Sequence, residues 1–247
     1  MTLSVLSLAA RPWIVGHRGA AGEAPENSLE SLLLAVEQGA DMIELDLQLT
    51  ADGSLVACHD WTLERMGGIE LTIEETPLDA LREVEISGEF RTPRARQFVS
   101  TLSSILALLP PEMPLNLELK RRLADPAVLA ARLAEAVASR DQLLISSFDW
   151  LLLAEVRRWL PKLPLAPLGG RSANPRELIA TAVLLDAWSV HCSRTLVDHE
   201  LMELAAARPV LTYTVNELAE AQELFALGVA GVFSDFPGRL RRQIEAA

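Results

Sequence analysis

MIELDLQL (residues 42–49) alternates between two kinds of side chain. Successive residues of a β-strand point to opposite faces. Ile43, Leu45, Leu47 and Leu49 therefore share one face, and Glu44, Asp46 and Gln48 share the other. LNLELK (115–120) repeats the pattern, with Leu115, Leu117 and Leu119 on one side and Asn116, Glu118 and Lys120 on the other. The leucine faces suit a cover of helices. The acidic faces need a polar interior, and the centre of a barrel of strands supplies one.

Outward from these two strands, short β-branched runs alternate with longer helical patterns. Strands are expected at 13–17, 42–49, 115–120, 142–147, 163–168, 186–190, 209–215 and 230–234, each followed by a helix. Alternating strands and helices argue for a parallel sheet. Eight such units in 247 residues predict an α/β fold of the (β/α)8 TIM-barrel type, with residues 1–247 as a single domain. An open doubly wound sheet is disfavoured, because no strand runs into a G-x-G-x-x-G or P-loop motif. The first helix, 28–38, is expected to begin with a capping box of Asn27 and Glu30 and to stop at Gly39. SLVACHD (54–60) reads as a short extra strand after the turn TADG (50–53). Residues 61–100 break the rhythm, and they read as a small insertion after the second strand.

The formal net charge is −12. Such a chain repels nucleic acid and anionic membrane unless it carries a basic patch, and RTPRARQ (91–97) is a short one. Apolar runs are broken by Glu or Ser well before the roughly 18 residues of a membrane span. The N-terminus lacks the basic segment of a signal peptide. Cys58 and Cys192 are isolated, which fits reduced thiols and a cytoplasmic location and gives no structural zinc site. Apolar positions such as Trp150 and Trp159 leave a homo-oligomer open.

Active sites of barrels sit at the C-terminal ends of the strands. The second and third main strands are expected to be neighbours, so Glu44, Asp46 and Glu118 converge there. Three buried carboxylates need a counter-charge. Salt bridges to Arg18 and Lys120 are one solution; a divalent cation, Mg²⁺ or Ca²⁺ for an all-oxygen set, is the other. His17 ends the first strand and His59 the short strand, and two imidazoles at such positions could form a base–acid pair near neutral pH. His191, at the end of the 186–190 strand, could line the mouth, whereas His199 reads as a surface residue. With Arg18 and Lys120 the set makes an anion site, and metal-assisted phosphoester cleavage follows as a reaction class.

The stretch HRGAAGEAPENSLESLLLAVEQGADMIELDLQLTADGSLVACHD (17–60) resembles the signature of the glycerophosphodiester phosphodiesterase family. LNLELK, SSF (146–148), YTVN (213–216) and GVAGVFSDFP (228–237) extend the resemblance over nearly the whole chain. It implies a TIM barrel with a small insertion. It also implies hydrolysis of small glycerophosphodiesters, such as glycerophosphocholine or glycerophosphoethanolamine, to sn-glycerol 3-phosphate and an alcohol. His17 and His59 would be the general acid/base pair, and Glu44, Asp46 and Glu118 the ligands of Mg²⁺ or Ca²⁺. Arg18 and Lys120 would bind phosphate and Asn27 would contact the substrate, while Glu26 reads as loop. No nucleic-acid partner and no stable membrane association are expected. The chain departs from the family pattern at VSTL (99–102), Tyr213 and Ser234-Asp235. The rival readings are a lysophospholipase D-type hydrolase and a barrel that binds phosphodiesters without turnover.

Overall fold

In the computed structural model, residues 11–88, 90, 96–206 and 208–246 are described. The N-terminal stretch 1–10 and most of the basic cluster 91–97 lie outside them. The strands are β1 (Trp13–Gly16), β2 (Met42–Leu49), β3 (Leu55–Ala57), β4 (Leu115–Leu119), β5 (Leu143–Ser147), β6 (Leu165–Gly169), β7 (Val190–Ser193), β8 (Val210–Tyr213) and β9 (Gly231–Ser234). All but β3 are parallel, in the order β1-β9-β8-β7-β6-β5-β4-β2, and β1 pairs with β2 to close a (β/α)8 barrel. The third strand, β3, runs antiparallel along the end of β2, with Leu47 opposite Ala57.

The helices are α1 (Leu29–Glu37), α2 (Glu64–Gly67), α3 (Leu78–Leu81), α4 (Leu102–Leu108), α5 (Pro126–Val137), α6 (Trp150–Trp159), α7 (Pro175–Leu184), α8 (His199–Ala205), α9 (Leu218–Ala226) and α10 (Pro237–Glu245). Side-chain caps mark several starts: Asp125 and Asn174 each accept from the first turn and are followed by Pro, which already holds the helical φ. Short α2 and α3 lie between β3 and α4. There Leu63, Ile73, Leu78, Leu81 and Ile86 pack with Val56 and Cys58 in an apolar cluster of their own.

The two-residue period of the strands sorts the side chains as anticipated. Ile43, Leu45, Leu47 and Leu49 of β2 and Leu115, Leu117 and Leu119 of β4 pack outward in the main core with the helices. A second cluster of Trp13, Val15, Met42, Leu144, Leu211 and Phe233 fills the barrel floor. Because Trp13 and Val15 point inward, His17 continues on the inward face beyond the end of β1. No helix among the described residues is long and apolar enough to cross a membrane.

Four local expectations need correction. The strand expected at 186–190 is β7, and it begins at Val190, not at residue 186. Residues 185–187 finish α7 instead: Ala187 N–H donates to Ala182, and Asp186 takes φ +46°. His191 therefore sits inside the barrel wall rather than at its mouth. It is fully buried, with Nε2 3.1 Å from Ser189 Oγ and its ring against Phe233. Burial pushes its pKa down to about 3, so it stays neutral. The cap of α1 is Ser28, whose side chain accepts from Ser31 N–H, and not Asn27. Trp150 is packed on the barrel through a 3.0 Å bond from Nε1 to the Leu168 carbonyl, whereas Trp159 is exposed.

Candidate active site

The first loop is built for close approach. Gly19 has φ +85°, and a Cβ there would lie 2.4 Å from Ser31 Oγ, so only glycine fits. The neighbouring Arg18 also adopts positive φ, at 53°. That turn aims Arg18 N–H at Glu44 Oε2, 2.8 Å away. Unfavourable backbone of this kind persists where surrounding contacts impose it, and it concentrates at functional sites.

Glu44, Asp46 and Glu118 offer carboxylate oxygens that lie within 4.8 Å of one another. The parallel register of β2 and β4 puts Asp46 opposite Glu118, which accounts for the convergence. Asp46 is the most heavily supported of the three. Lys120 Nζ reaches Asp46 Oδ1 at 3.2 Å, and Asn27 Nδ2 donates to Asp46 Oδ2 at 2.9 Å. Arg18 Nε stands 3.2 Å from Asp46 Oδ2 but lacks the alignment of a hydrogen bond, so it contributes mainly charge. Burial alone would raise the pKa of Asp46, but Lys120 and Arg18 hold it below the usual carboxylate range. Burial followed by the charges of Asp46 and Glu118 pushes Glu44 well above that range. Burial and Asp46 push Glu118 up to about 7, against the pull of Lys120.

Three carboxylates thus face two cations, one of which, Arg18, also serves Glu26 at 2.9 Å. The surplus is negative, and Glu44 Oε1 is buried without a hydrogen-bond partner. Metal–oxygen distances of about 2.0–2.6 Å allow two ligands of one ion to stand up to about 5 Å apart. The spacing, the all-oxygen chemistry and the orphaned oxygen fit a hard divalent cation.

The two histidines have matching supports. His17 Nδ1 is 2.7 Å from Asp235 Oδ1, and Asn216 Nδ2 donates to Asp235 Oδ2 at 2.8 Å. His59 Nδ1 is 2.6 Å from Asp60 Oδ1, and Arg65 Nε donates to Asp60 Oδ2 at 2.6 Å. Burial opposes ionisation of Asp235, but its bonds from His17 and Asn216 hold its pKa below the ordinary value. Asp60 is held low in the same way, by Arg65 and His59 against burial. Each carboxylate can only accept, so Nδ1 carries the hydrogen and Nε2 remains available in each ring. Burial lowers the pKa of His59, against the opposing charge of Asp46.

His17, Arg18, Glu44, His59 and Glu118 line one cavity of about 150 Å³ at the C-terminal end of the barrel. Its far wall is apolar, from Phe148, Leu168, Tyr213 and Phe233. His59 also lines a second, wider cavity of about 650 Å³, together with Lys120. Asn27 lies behind Asp46: besides donating to its carboxylate, it accepts from Asp46 N–H at 3.0 Å. Its amide is committed to holding that acid.

Glu26, read from the sequence as plain loop, bonds both Arg18 and Arg65 at 2.9 Å and 2.7 Å. It ties the first loop to the His59 loop. Asp235 and Asn216 were likewise invisible as partners of His17. The signals were their place in the family-like stretches YTVN and GVAGVFSDFP and, for Asp235, an acid directly after the last strand, at a barrel end where such positions carry chemistry.

The chain matches the model of the Glycerophosphoryl diester phosphodiesterase family over residues 17–239. It is 28% identical over 233 residues to a glycerophosphodiester phosphodiesterase of Caldanaerobacter subterraneus subsp. tengcongensis, covering 92% of this chain and 95% of the relative. It is 26% identical over 272 residues to a lysophospholipase D of Mus musculus, covering 94% of this chain and 82% of the relative. Among solved structures, a phosphodiesterase of Oleispira antarctica in complex with the product sn-glycerol-3-phosphate superposes with a TM-score of 0.86. The two share 28% identity, over 95% of this chain and 97% of the other.

Proposed function

The chain belongs to the glycerophosphoryl diester phosphodiesterase family, and from that premise we propose that it hydrolyses glycerophosphodiesters to sn-glycerol 3-phosphate and an alcohol in a metal-dependent reaction. One observation carries the reading. Two carboxylate-held histidines, an arginine and two of the three clustered acids line a single small cavity. The known relatives and the product-bound neighbour support the same chemistry.

Glu44, Asp46 and Glu118 would hold Mg²⁺ or Ca²⁺, and a bound ion supplies Lewis-acid stabilisation of charge on the phosphoryl oxygens. The remaining work falls to side chains of this protein. Arg18 and Lys120 orient the phosphate from either side of Asp46. His17, confined to the inner cavity, takes the proton of the attacking oxygen at Nε2, whether that oxygen comes from water or from the 2-hydroxyl of the glycerol. His59 borders both cavities and protonates the leaving alkoxide. Its lowered pKa in the free protein is offset once the phosphodiester anion lies beside it, because a nearby negative charge favours the imidazolium. The phosphoglycerol half fits the inner cavity and the leaving alcohol the wider one. Trp61, Thr62, Glu64 and Arg65, at the start of the insertion, form part of the wall of that wider cavity. The charged lining there gives an acyl chain little to pack against, which disfavours the lysophospholipase D-type reading. The intact set of acids, cations and histidines disfavours binding without turnover.

The direct test is release of glycerol 3-phosphate from a panel of amine and polyol glycerophosphodiesters by the purified protein with Mg²⁺ or Ca²⁺. Absence of product across the panel would sink the proposal. A second expected outcome concerns Asp235. In Asp235→Asn the side-chain amide can donate to His17 Nδ1, so the proton moves to Nε2 and the base is lost. We expect kcat to fall about a hundredfold, on the scale of general-base loss, with KM changed by less than about threefold. An equal kcat in the variant would show that Asp235 does not set the His17 tautomer.

A further inference from the structure

The wider cavity holds unused binding capacity, and its chemistry selects among leaving groups. It adjoins the reacting centre through His59 and Lys120. Asp60, Arg65 and Lys120 are already committed: Arg65 bonds Asp60 and Glu26, and Lys120 faces Asp46. Four other groups on its wall are not. Among the described residues, the Trp61 indole N–H, the Thr62 hydroxyl, the Glu64 carboxylate and the Arg122 guanidinium make no side-chain hydrogen bond or ion pair. Trp61 is 37% exposed, so part of its ring is open to a ligand.

We propose that this cavity binds a polyhydric leaving alcohol, and that Trp61, Glu64 and Arg122 make the enzyme prefer glycerophosphodiesters whose alcohol is a polyol over those whose alcohol is a quaternary amine. The inference rests on the phosphodiesterase reading above. Three alternatives meet specific obstacles. A quaternary ammonium is bound by a cage of aromatic faces with surplus negative charge. Here one aromatic ring lines the wall, and Arg65 and Lys120 are neutralised by their own carboxylates, so the uncommitted charges, Glu64 and Arg122, balance and leave no negative surplus. An acyl chain needs an apolar trough, and Trp61 is the lone apolar member of the lining. A methyl or ethyl group would leave the free donors and acceptors untouched. A polyol matches each feature: its hydroxyls donate to Glu64 and accept from Arg122, and its C–H face lies on the indole.

The test compares kcat/KM for glycerophosphoglycerol, glycerophosphocholine and the methyl ester of glycerol 3-phosphate, each with Mg²⁺ or Ca²⁺. Hydrogen bonds that a lesser substrate leaves unmade give large discrimination. We expect the polyol diester to exceed the other two by roughly tenfold or more. In Arg122→Ala and Trp61→Ala, at unchanged Tm, that ratio should drop to within about threefold, mostly through loss on the polyol diester. Arg122 is exposed, so its variant keeps the test alive if Trp61→Ala is unstable. A parent enzyme that cleaves glycerophosphocholine as well as the polyol diester overturns the inference and leaves the phosphodiesterase reading standing. So do variants that lose activity equally on all three substrates. A parent that releases product from none of them overturns both.

Discussion

Treatment with a chelator is expected to lower glycerol 3-phosphate release by at least roughly a thousandfold, because Lewis-acid stabilisation is worth several kcal/mol and each 1.4 kcal/mol is a factor of ten. Added Mg²⁺ or Ca²⁺ should restore it. The argument lies in the unbalanced charge of Glu44, Asp46 and Glu118 and in the orphaned Glu44 Oε1. Without a cation the cluster costs the fold stability, and the sign of its pH dependence follows from the shifts. The pKa values of Glu44 and Glu118 are raised in the folded state, that of Glu118 to about 7. For a raised carboxyl, the stabilising contribution is the bound proton. It is fully present below the ordinary carboxylate pKa, near 4.5, and is lost as pH rises through about 7. A divalent cation replaces that proton. Adding Mg²⁺ or Ca²⁺ to the metal-free protein should therefore raise Tm more at pH 8 than at pH 5, where protons compete for the same oxygens. An equal shift at both pH values, or activity indifferent to chelation, would show that Lys120 and Arg18 alone neutralise the cluster.

The barrel and its acids were legible because both depend on the strand period. Alternation along 42–49 and 115–120 assigned the faces of β2 and β4, and neighbouring strands then had to bring Asp46 beside Glu118. The histidines were legible as residues just beyond strand ends. Their supports were not: Asp235 is 218 residues from His17 in the chain, and closure of β9 onto β1 alone brings them together. Glu26 was unreadable for a related reason. Its two arginine partners sit on the first loop and on short α2, and the approach of such segments follows from side-chain pairing rather than from any period. His191 was misplaced because DAWSV is apolar and β-prone enough to pass for a strand, while Asp186 and Ala187 serve to terminate α7 and β7 starts only at Val190. The Asn27 capping box failed by one position, since Ser28 can cap equally well and frees Asn27 for Asp46.

Replacing either histidine by alanine should cut kcat/KM by about 10²–10⁴, the usual range for loss of a general acid or base. The two variants should differ in how they recover. An alkoxide leaving group needs a proton in the transition state, whereas a nitrophenolate leaves without one. If His59 is the acid, as its position between the two cavities implies, His59→Ala should regain most of its rate, to within about tenfold of the parent, on the p-nitrophenyl ester of glycerol 3-phosphate. His17→Ala should stay about as impaired on that ester as on an alkyl diester, since the attacking oxygen still has to lose its proton. The supports sharpen the contrast. Asp235 is backed by the neutral amide of Asn216 and can stabilise a positive His17 once it has taken a proton. Asp60 is backed by the cation Arg65, which offsets part of its pull and eases departure of the proton from His59. Recovery of His17→Ala instead of His59→Ala would reverse the two assignments. Recovery of neither would mean that leaving-group protonation does not limit the rate.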